Sequence, residues 1–502
     1  MFSEKRIAFA LLALLFAMQI VVLIARTDRE PHADELEYLH TAWMMANGET
    51  IFRSFFQHHS PLLFVVIEPL APHAEAVEVL RYAEAARLLA GFAGLCAMAA
   101  FAAVIARVSP MAAAFAVAAV FASGRLWLRV ITDIRPEPFA MASFWIGAAL
   151  ILLPRTRIAA WAGFGLGLIA FAGLWTPKWP LCSAVLLVVA LVRVDGGRRK
   201  IAMLSIAAAI AGVSLLFLHR IAPLDVLRFF VLDFNAAAAP HLLVAAPPAF
   251  GSRPFYDAPR LLSLPIVVVA SALLLLAARF DRRYRPVTAF VALFAASVLE
   301  VRFLHPYPVV GTHSYALWGF SAAAIVVFAP DAIVTLLRRA KLSARLDARL
   351  PVIAQVTLFV AFLPHVIVQA SFAQNDTGTY WLRQRALVTR LRPGDRVWIP
   401  PRRGNPVTVR DAHYYWFGFN DGVMNTAADL AATSRGARYL PPLAPMPLCA
   451  ALRGNTSLRF AAMPDGGVAA KSERPCFDAL HAAGRVRNTG SPRVFEILPA
   501  HP

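Results

Sequence analysis

The sequence has few charged residues. Only 16% of its 502 residues are Asp, Glu, Lys or Arg, whereas 59% are hydrophobic. The apolar residues occur in blocks of about twenty, and blocks of that length match the thickness of a bilayer. No segment alternates as a membrane-barrel strand does, and backbone amides in hydrocarbon need partners, so each block is predicted to be a transmembrane helix. This composition excludes an ordinary water-soluble globular protein.

Cysteines are also scarce, and the four present show no metal-ligand spacing. Cys96 and Cys182 lie in apolar blocks, where we interpret them as small packing residues. Cys449 and Cys476 lie in a polar C-terminal region, where they form either a disulfide or two unpaired thiols.

Acidic residues are fewer than basic ones, 30 against 49, which gives a net charge of +19. In a soluble protein this excess would suggest nucleic acid, but the basic residues cluster in short loops between apolar blocks, so no nucleic-acid partner is predicted. If the N-terminus is cytoplasmic, the basic loops all fall on the cytoplasmic side, as the positive-inside rule requires. These loops are 107, 155–157, 193–200, 279–285 and 338–349.

Eleven transmembrane helices are predicted from the apolar blocks. They are placed near 7–25, 86–106, 109–123, 138–153, 158–174, 179–193, 201–218, 261–278, 286–303, 314–336 and 351–371. The first block lacks a small-residue cleavage site, so we expect a retained helix and not a cleaved signal peptide.

The predicted fold is thus an α-helical polytopic membrane protein with a small α/β domain at its C-terminal end. The membrane domain covers 1–371 and includes a long first periplasmic loop, 26–85. The polar region 372–502 contains strand-like pieces such as Arg396–Pro400 and is placed on the periplasmic side by the span count. The high alanine and arginine content is typical of GC-rich bacterial genomes, which indicates the bacterial inner membrane.

Three carboxylates, those of Asp34, Glu35 and Glu37, follow the first helix directly. Such a cluster favours a general base, a metal site or a hydroxyl-binding site, or else it is the acid-rich first turn of a helix. The residues that follow, 38–48, have the apolar spacing of an amphipathic helix lying in the membrane interface.

Further along the same loop, His58 and His59 precede an apolar stretch that begins at Pro61. Adjacent histidines can bind a metal or a phosphate, or can cap the next helix, and the sequence leaves these alternatives open.

Other outer segments also carry ionisable groups. Asp133, Arg135 and Glu137 follow the third span and offer cations for phosphate and carboxylates for acid–base work, or they form a self-neutralising surface loop. Lys178 lies between tryptophans and either binds a lipid phosphate or anchors the helix at the interface. A last set, between the ninth and tenth spans, includes Arg302, His305 and Tyr307.

Taken together, these motifs resemble the GT-C glycosyltransferases, in particular the bacterial protein mannosyltransferase relatives, the aminoarabinose transferase of lipid A and the rhizobial galacturonic acid transferases. The resemblance covers roughly residues 1–370 and rests on Asp34-Glu35 after the first helix, Phe55–Leu63 in the same loop, Asp133–Pro138 after the third helix, and the polar C-terminal region.

The resemblance implies roles for several residues. Asp34 acts on the acceptor as base or orienter, with Glu35 as its neighbour, and Asp133 is the acid of the second loop. Basic residues hold the polyprenyl phosphate of the donor. The aminoarabinose transferases have a lysine before the proline of the first-loop motif, where this chain has His58-His59-Ser60-Pro61, so His59, Arg135, Lys178 or Arg302 is expected to supply that contact.

The predicted function is therefore the transfer of a sugar, with inversion, from a polyprenyl-phosphate-linked donor to a hydroxyl of a lipid, glycan or protein on the periplasmic side. The expected partners are this donor, the acceptor and membrane lipids. No cofactor is demanded, although the carboxylates and histidines are compatible with a divalent metal.

Two other classes of membrane protein are alternatives. One alternative is a transporter or flippase for a lipid-linked glycan; against it, the acids lie in outer loops and no inverted repeat is visible. The second is an O-antigen-ligase-like protein, in which a large outer loop is expected late in the chain, whereas the long loop here is the first.

Overall fold

The computed structural model describes most of the chain up to residue 340 and separate segments after it. The described residues are 4–340 apart from 28, 30, 32, 73–78, 123–126, 128–130, 155, 244–261 and 301–310, followed by 353, 356–357, 360, 388–389, 391, 395–398, 407–411, 414, 421–441, 448, 452, 458–462, 468–488 and 494–498.

Helices dominate the described residues. In chain order the α-helices are α1 (Glu4–Ile24), α2 (Ala33–Ala46), α3 (Leu62–Ile67), α4 (Val79–Ala106), α5 (Pro110–Ala122), α6 (Pro136–Leu152), α7 (Ile158–Trp175), α8 (Pro180–Arg193), α9 (Gly197–Ile221), α10 (Leu224–Leu227), α11 (Phe234–Leu243), α12 (Leu264–Phe280), α13 (Arg285–Leu299), α14 (Gly311–Arg339), α15 (Asp421–Ala431) and α16 (Val468–Ala482). The strands are β1 (Arg396–Trp398), β2 (Arg410–Asp411), β3 (Leu458–Ala462), β4 (Val486–Asn488) and β5 (Val494–Ile497).

Within the described residues, five helical segments are long and apolar enough to cross a membrane: Glu4–Ile24, Val79–Ala106, Ile158–Trp175, Gly197–Ile221 and Leu317–Arg339. Shorter apolar helices are α5, α6, α8 and α12, of 10–17 residues. The predicted span 109–123 corresponds to α5, a 13-residue helix that is buried along almost its whole length and is shorter than a bilayer is thick. Most of the predicted span 351–371 lies outside the described residues.

Contacts divide the chain into two compact units. One contains 1–26, 87–217 and 246–374; the other contains 27–86, 218–245 and 375–502. The division at residue 371 stays a prediction, and the contacts group the first loop with the C-terminal region. We call the first the membrane unit and the second the loop unit.

The core of the membrane unit contains an aromatic cluster. The Phe101 ring lies 4.7 Å from the Phe320 ring and 5.2 Å from the Trp145 ring, measured between centroids. Trp145 also stacks against Phe320 and Phe290. Because these residues come from α4, α6, α13 and α14, the cluster joins helices that are far apart in the sequence.

Glycines allow two helices of the membrane unit to approach closely. A Cβ on Gly147 would lie 2.6 Å from the Gly165 carbonyl oxygen, and a Cβ on Gly165 would lie 2.5 Å from that of Gly147. Any side chain at either position would therefore separate α6 from α7, which is the usual role of small residues in membrane helix pairs.

The C-terminal part of the loop unit contains the small sheet. Its strand order is β2-β1-β3-β5-β4, in which β1 pairs in parallel with β2 and β3, and β5 pairs antiparallel with β3 and β4. Trp398, Leu458 and Leu480 belong to the apolar core between the sheet and its helices. Cys476 is disulfide-bonded, whereas Cys449 lies outside the described residues. A small α/β element at this end of the chain was predicted, and it is confirmed.

The first loop contacts the C-terminal segments directly. The Phe56 amide donates to the Tyr414 carbonyl oxygen at 2.7 Å, and the Tyr414 hydroxyl donates to the Phe52 carbonyl oxygen at 2.9 Å. His40 Nδ1 lies 2.7 Å from the carbonyl oxygen of Val407. These contacts correct the prediction of an interfacial helix at 38–48, because α2 is buried continuously from Glu35 to Met44 and no lipid-facing side remains there.

Candidate functional site

Among the described residues of the loop unit, Glu37, His58 and His59 form a set of ionisable groups that we call the Glu–His cluster. Glu37 Oε1 lies 3.6 Å from His59 Nε2 and 3.9 Å from His58 Nδ1. The two imidazole rings lie 4.1 Å apart between centroids. Asp34 precedes Glu37 by three residues and so lies on the same side of α2.

The helix α2 positions the acidic side of this cluster. It begins at Ala33 with Asp34 and Glu35 in its first turn, where carboxylates interact favourably with the helix dipole. Glu37, three residues after Asp34, is only 5% exposed. The interpretation of the carboxylates as the acid-rich first turn of a helix therefore applies to Asp34 and Glu35. It does not explain why the Glu37 carboxylate is buried.

The side chain of Gln57 shapes the histidine side of the cluster. Its Oε1 accepts the backbone N–H of His58 at 2.7 Å and that of His59 at 3.1 Å. Its Nε2 donates to the Thr41 hydroxyl at 2.9 Å, which links this bend to α2. Asn235 of α11 donates to the His58 carbonyl oxygen at 2.7 Å. The backbone of the two histidines is thus held from two helices.

Burial disfavours the charged forms of both Glu37 and His58, so it raises the pKa of the acid and lowers the pKa of the base. Burial, with a further contribution from the charge of Asp34, raises the pKa of Glu37 to about 8, although a hydrogen bond from Gln57 opposes this. Burial lowers the pKa of His58 to about 4, against an opposing effect of Asp34. At neutral pH the His58 imidazole is therefore neutral and has a lone pair for a ligand.

Glu35 has a different environment from its neighbour Asp34. It is fully buried, and its Oε2 accepts from Arg29 Nη2 at 2.8 Å in an ion pair. Asp34 is partly exposed. The contacts of Glu35 are thus those of a structural ion pair at the start of α2, while the side chain of Asp34 is partly exposed.

In the membrane unit, the predicted site residues of the second loop form two ion pairs. Arg135 Nε lies 3.5 Å from Asp133 Oδ2, and Lys178 Nζ lies 2.8 Å from Glu137 Oε1. Asp133, Arg135 and Glu137 are all buried, and the Lys178 side chain is 29% exposed. Arg135 and Lys178, two of the cations predicted to bind phosphate, therefore each lie next to a carboxylate.

The third predicted group lies outside the described residues, which exclude Arg302, His305 and Tyr307. Its neighbour Glu300 is described and has a structural contact. The Glu300 carboxylate accepts the backbone N–H groups of Leu181 and Cys182, the latter at 2.9 Å, and so caps the N-terminus of α8.

Two solved structures resemble the whole chain. The crystal structure of ArnT from Cupriavidus metallidurans bound to undecaprenyl phosphate matches with a TM-score of 0.56 and 15% identity, and the match covers 99% of this chain and 98% of that chain. The apo structure of the same protein matches with a TM-score of 0.53 at 15% identity and covers 98% of each chain. No protein-family model matches the sequence, and none of the curated proteins matches it either.

These matches show the fold. The chain has the fold of these ArnT structures: it is a helical polytopic membrane protein with a small C-terminal α/β element, as the sequence predicted.

Proposed function

We propose that the chain is a membrane glycosyltransferase that transfers a sugar from a polyprenyl-phosphate-linked donor to an acceptor hydroxyl. The observation that carries the proposal is the whole-length fold likeness to ArnT, one structure of which is bound to undecaprenyl phosphate. The placement of Asp34 supports it further, because this partly exposed carboxylate begins α2 beside a buried cluster of ionisable groups.

In the proposed reaction, the acceptor oxygen attacks the anomeric carbon from the face opposite the phosphate. Asp34 accepts the proton of the acceptor hydroxyl as the new C–O bond forms. The bond between the anomeric carbon and the phosphate oxygen breaks, and the electron pair leaves with the polyprenyl phosphate. A single displacement of this kind inverts the anomeric configuration.

The leaving phosphate gains negative charge during the reaction, so a nearby cation lowers the barrier without a protonating acid. Arg135 and Lys178 are the described residues that we assign to this role, with His59 and Arg302 as the remaining candidates. The proposed acceptor is a lipid, a glycan or a protein, and the proposed location is the periplasmic face of the bacterial inner membrane.

The test is sugar transfer by the purified protein in proteoliposomes, with a panel of polyprenyl-phosphate sugars and with release of free polyprenyl phosphate as the readout. Asp34→Asn is expected to lower the rate by about 10²–10⁴, the usual contribution of a general base. Asp429→Asn is the matched control, because Asp429 is an exposed carboxylate of α15. Equal rates for wild type and Asp34→Asn would remove Asp34 as the base.

The same assay separates the proposal from its main alternative. A flippase moves an intact lipid-linked glycan across the bilayer and releases no polyprenyl phosphate. Transbilayer movement of a fluorescent lipid-linked glycan without release of polyprenyl phosphate from any donor would therefore favour the flippase.

A further inference from the structure

Three residues with metal-binding donor atoms meet in the Glu–His cluster. Glu37 offers a carboxylate oxygen and His58 and His59 each offer a ring nitrogen, and one donor atom from each residue lies within 4.8 Å of the other two. Ligand atoms around a tetrahedral Zn²⁺ ion with bonds of roughly 2.0–2.1 Å are about 3.3 Å apart. Side-chain adjustments of about 1 Å or less would therefore bring these atoms into coordination.

Two of these atoms are buried and lack a hydrogen bond. Glu37 Oε1 and His58 Nδ1 have no hydrogen-bond partner, although both are shielded from solvent. Buried polar atoms without partners are rare in folded proteins and require an explanation such as an ion or a water molecule. Here the two atoms lie 3.9 Å apart.

The donor set favours a cation as the occupant. A carboxylate oxygen and two imidazole nitrogens are ligands that divalent transition-metal ions bind. Asp34 adds a second carboxylate on the same side of α2, so the cluster attracts a cation more than an anion such as phosphate.

The surroundings hold the ligands in place before any ion binds. Gln57 fixes the backbone of both histidines, and Asn235 fixes the His58 carbonyl. The His59 ring packs edge-on against the Tyr38 ring, with centroids 5.2 Å apart, and the His58 ring stacks near Phe56 at 5.8 Å. Such outer contacts orient ligands and exclude water around metal sites.

We propose that Glu37, His58 and His59 bind one divalent transition-metal ion, and that Zn²⁺ fits the donors best. Two imidazoles and one carboxylate are the ligand set of Zn²⁺ sites that keep a coordination position open. The open position takes water or an oxygen of a phosphorylated ligand. The sequence left a metal open as one alternative for His58 and His59, and the structure adds Glu37 to them.

The proposal is independent of sugar transfer, so it is tested by binding alone. The purified protein is stripped with a chelator and titrated with Zn²⁺ by calorimetry, and bound metal is counted by elemental analysis after dialysis. One equivalent is expected. Co²⁺ is the optical probe, because a four- or five-coordinate site with nitrogen ligands gives visible absorption bands that six-coordinate surface binding does not.

Single substitutions identify the ligands. Glu37→Gln, His58→Ala and His59→Ala are each expected to weaken Zn²⁺ binding at least ~10-fold, the size seen even when outer contacts of a metal site are lost. His481→Ala is the matched control, since His481 is an exposed histidine of α16, and it is expected to bind Zn²⁺ as the wild type does.

Misfolding of a variant is separated from loss of a ligand by thermal unfolding. Glu37→Gln keeps the shape of the side chain, so its metal-free Tm should equal or exceed that of the wild type, while the rise in Tm on adding Zn²⁺ should be lost. The proposal is overturned if the stripped wild type takes up no Zn²⁺, or if the three variants bind it as tightly as the wild type.

Discussion

Arg29 Nη2 lies 2.8 Å from Glu35 Oε2, in an ion pair whose carboxylate is fully buried. The neighbouring carboxylate, Asp34, is partly exposed. The two adjacent acids therefore differ in their surroundings: Glu35 is held in an ion pair at the start of α2, and Asp34, which we propose as the base, is partly exposed.

Substitution of these two acids should separate stability from activity. Glu35→Gln leaves the Arg29 guanidinium with a neutral partner, and we expect a loss of about 1–3 kcal/mol, below the 3–5 of a fully buried pair because the Arg29 side chain is 15% exposed. Asp34→Asn should leave the Tm almost unchanged and lower the transfer rate by about 10²–10⁴. Thermal unfolding and the transfer assay measure both effects on the same preparations.

The control for this comparison is the double variant Arg29→Gln/Glu35→Gln. Removal of both charges leaves no unpaired ion, so the double variant should be more stable than the sum of the single variants predicts. A Glu35→Gln protein with wild-type Tm but no transfer would instead assign the chemistry to Glu35.

The Glu–His cluster predicts an unusual pH dependence of stability in the metal-free protein. Glu37 has a pKa raised from 4.5 to about 8 in the folded state, so the folded state binds a proton that the unfolded state releases between these values. The contribution of Glu37 to the free energy of unfolding is therefore lost as the pH rises towards 8. The pKa of His58 is lowered from 6.5 to about 4, so its effect has the opposite sign and ends near pH 6.5.

The two effects oppose each other up to pH 6.5, and only that of Glu37 continues above it. We expect the chelator-treated protein to lose up to about 2 kcal/mol between pH 6.5 and 8 through this group, since each pH unit corresponds to about 1.4 kcal/mol per proton. Glu37→Gln should remove this component of the decline. Thermal unfolding at each pH measures it, and an identical slope in wild type and Glu37→Gln would contradict the assignment.

From the ion pair between Lys178 and Glu137 we expect a double variant that regains stability without regaining activity. Lys178→Met deprives the buried Glu137 carboxylate of the ammonium group at 2.8 Å, and we expect a loss of about 1–3 kcal/mol, since the Lys178 side chain is 29% exposed. Adding Glu137→Gln should restore most of the stability, because the uncompensated charge is then gone.

If Lys178 contacts the donor phosphate as proposed, transfer should not recover in the double variant. Loss of one charge-assisted hydrogen bond corresponds to about 10–100-fold in kcat/KM. Kinetics with varied donor concentration measure the effect, and Lys178→Arg is the conservative control. Full recovery of transfer with stability would show that Lys178 acts only by neutralising Glu137.

The sequence predicted the parts of this molecule that depend on local composition. Apolar blocks located α1, α4, α7 and α9, because the length of a spanning helix is set by the bilayer. The acid at Asp34 was placed correctly at the start of a helix. Local patterns were also sufficient for the strand at 396–398, where β-branched and aromatic residues are adjacent.

Contacts between segments that are far apart in the chain could not be predicted from local sequence patterns. Glu37 meets His58 only because the chain folds back over about twenty residues, and Asn235 reaches His58 from 177 residues away. The amphipathic spacing of 38–48 correctly indicated a helix, but its interpretation as an interfacial helix was wrong. The helix α2 is buried from Glu35 to Met44, and His40 contacts Val407 of the C-terminal region. Glu35 and Asp34 look alike in the sequence, and the ion pair with Arg29 separates them.

The predicted orientation can be tested with single cysteines and a membrane-impermeant maleimide in spheroplasts. Arg53 in the first loop and Ala432 after α15 are exposed in the structure, and both are predicted to be periplasmic. Asp195 is exposed in the basic loop before α9, which is predicted to be cytoplasmic. Arg53→Cys and Ala432→Cys should label in intact spheroplasts, and Asp195→Cys only after permeabilisation.

The pattern of labelling distinguishes the ways in which the topology can fail. Cys96 and Cys182 have free thiols and are replaced by alanine in the background, while Cys476 is disulfide-bonded and does not react. Labelling of Asp195→Cys alone would invert the whole chain and place Asp34 on the cytoplasmic side. Labelling of Arg53→Cys without Ala432→Cys would mean an even number of spans up to the C-terminal region, because each added or lost span moves everything after it across the membrane.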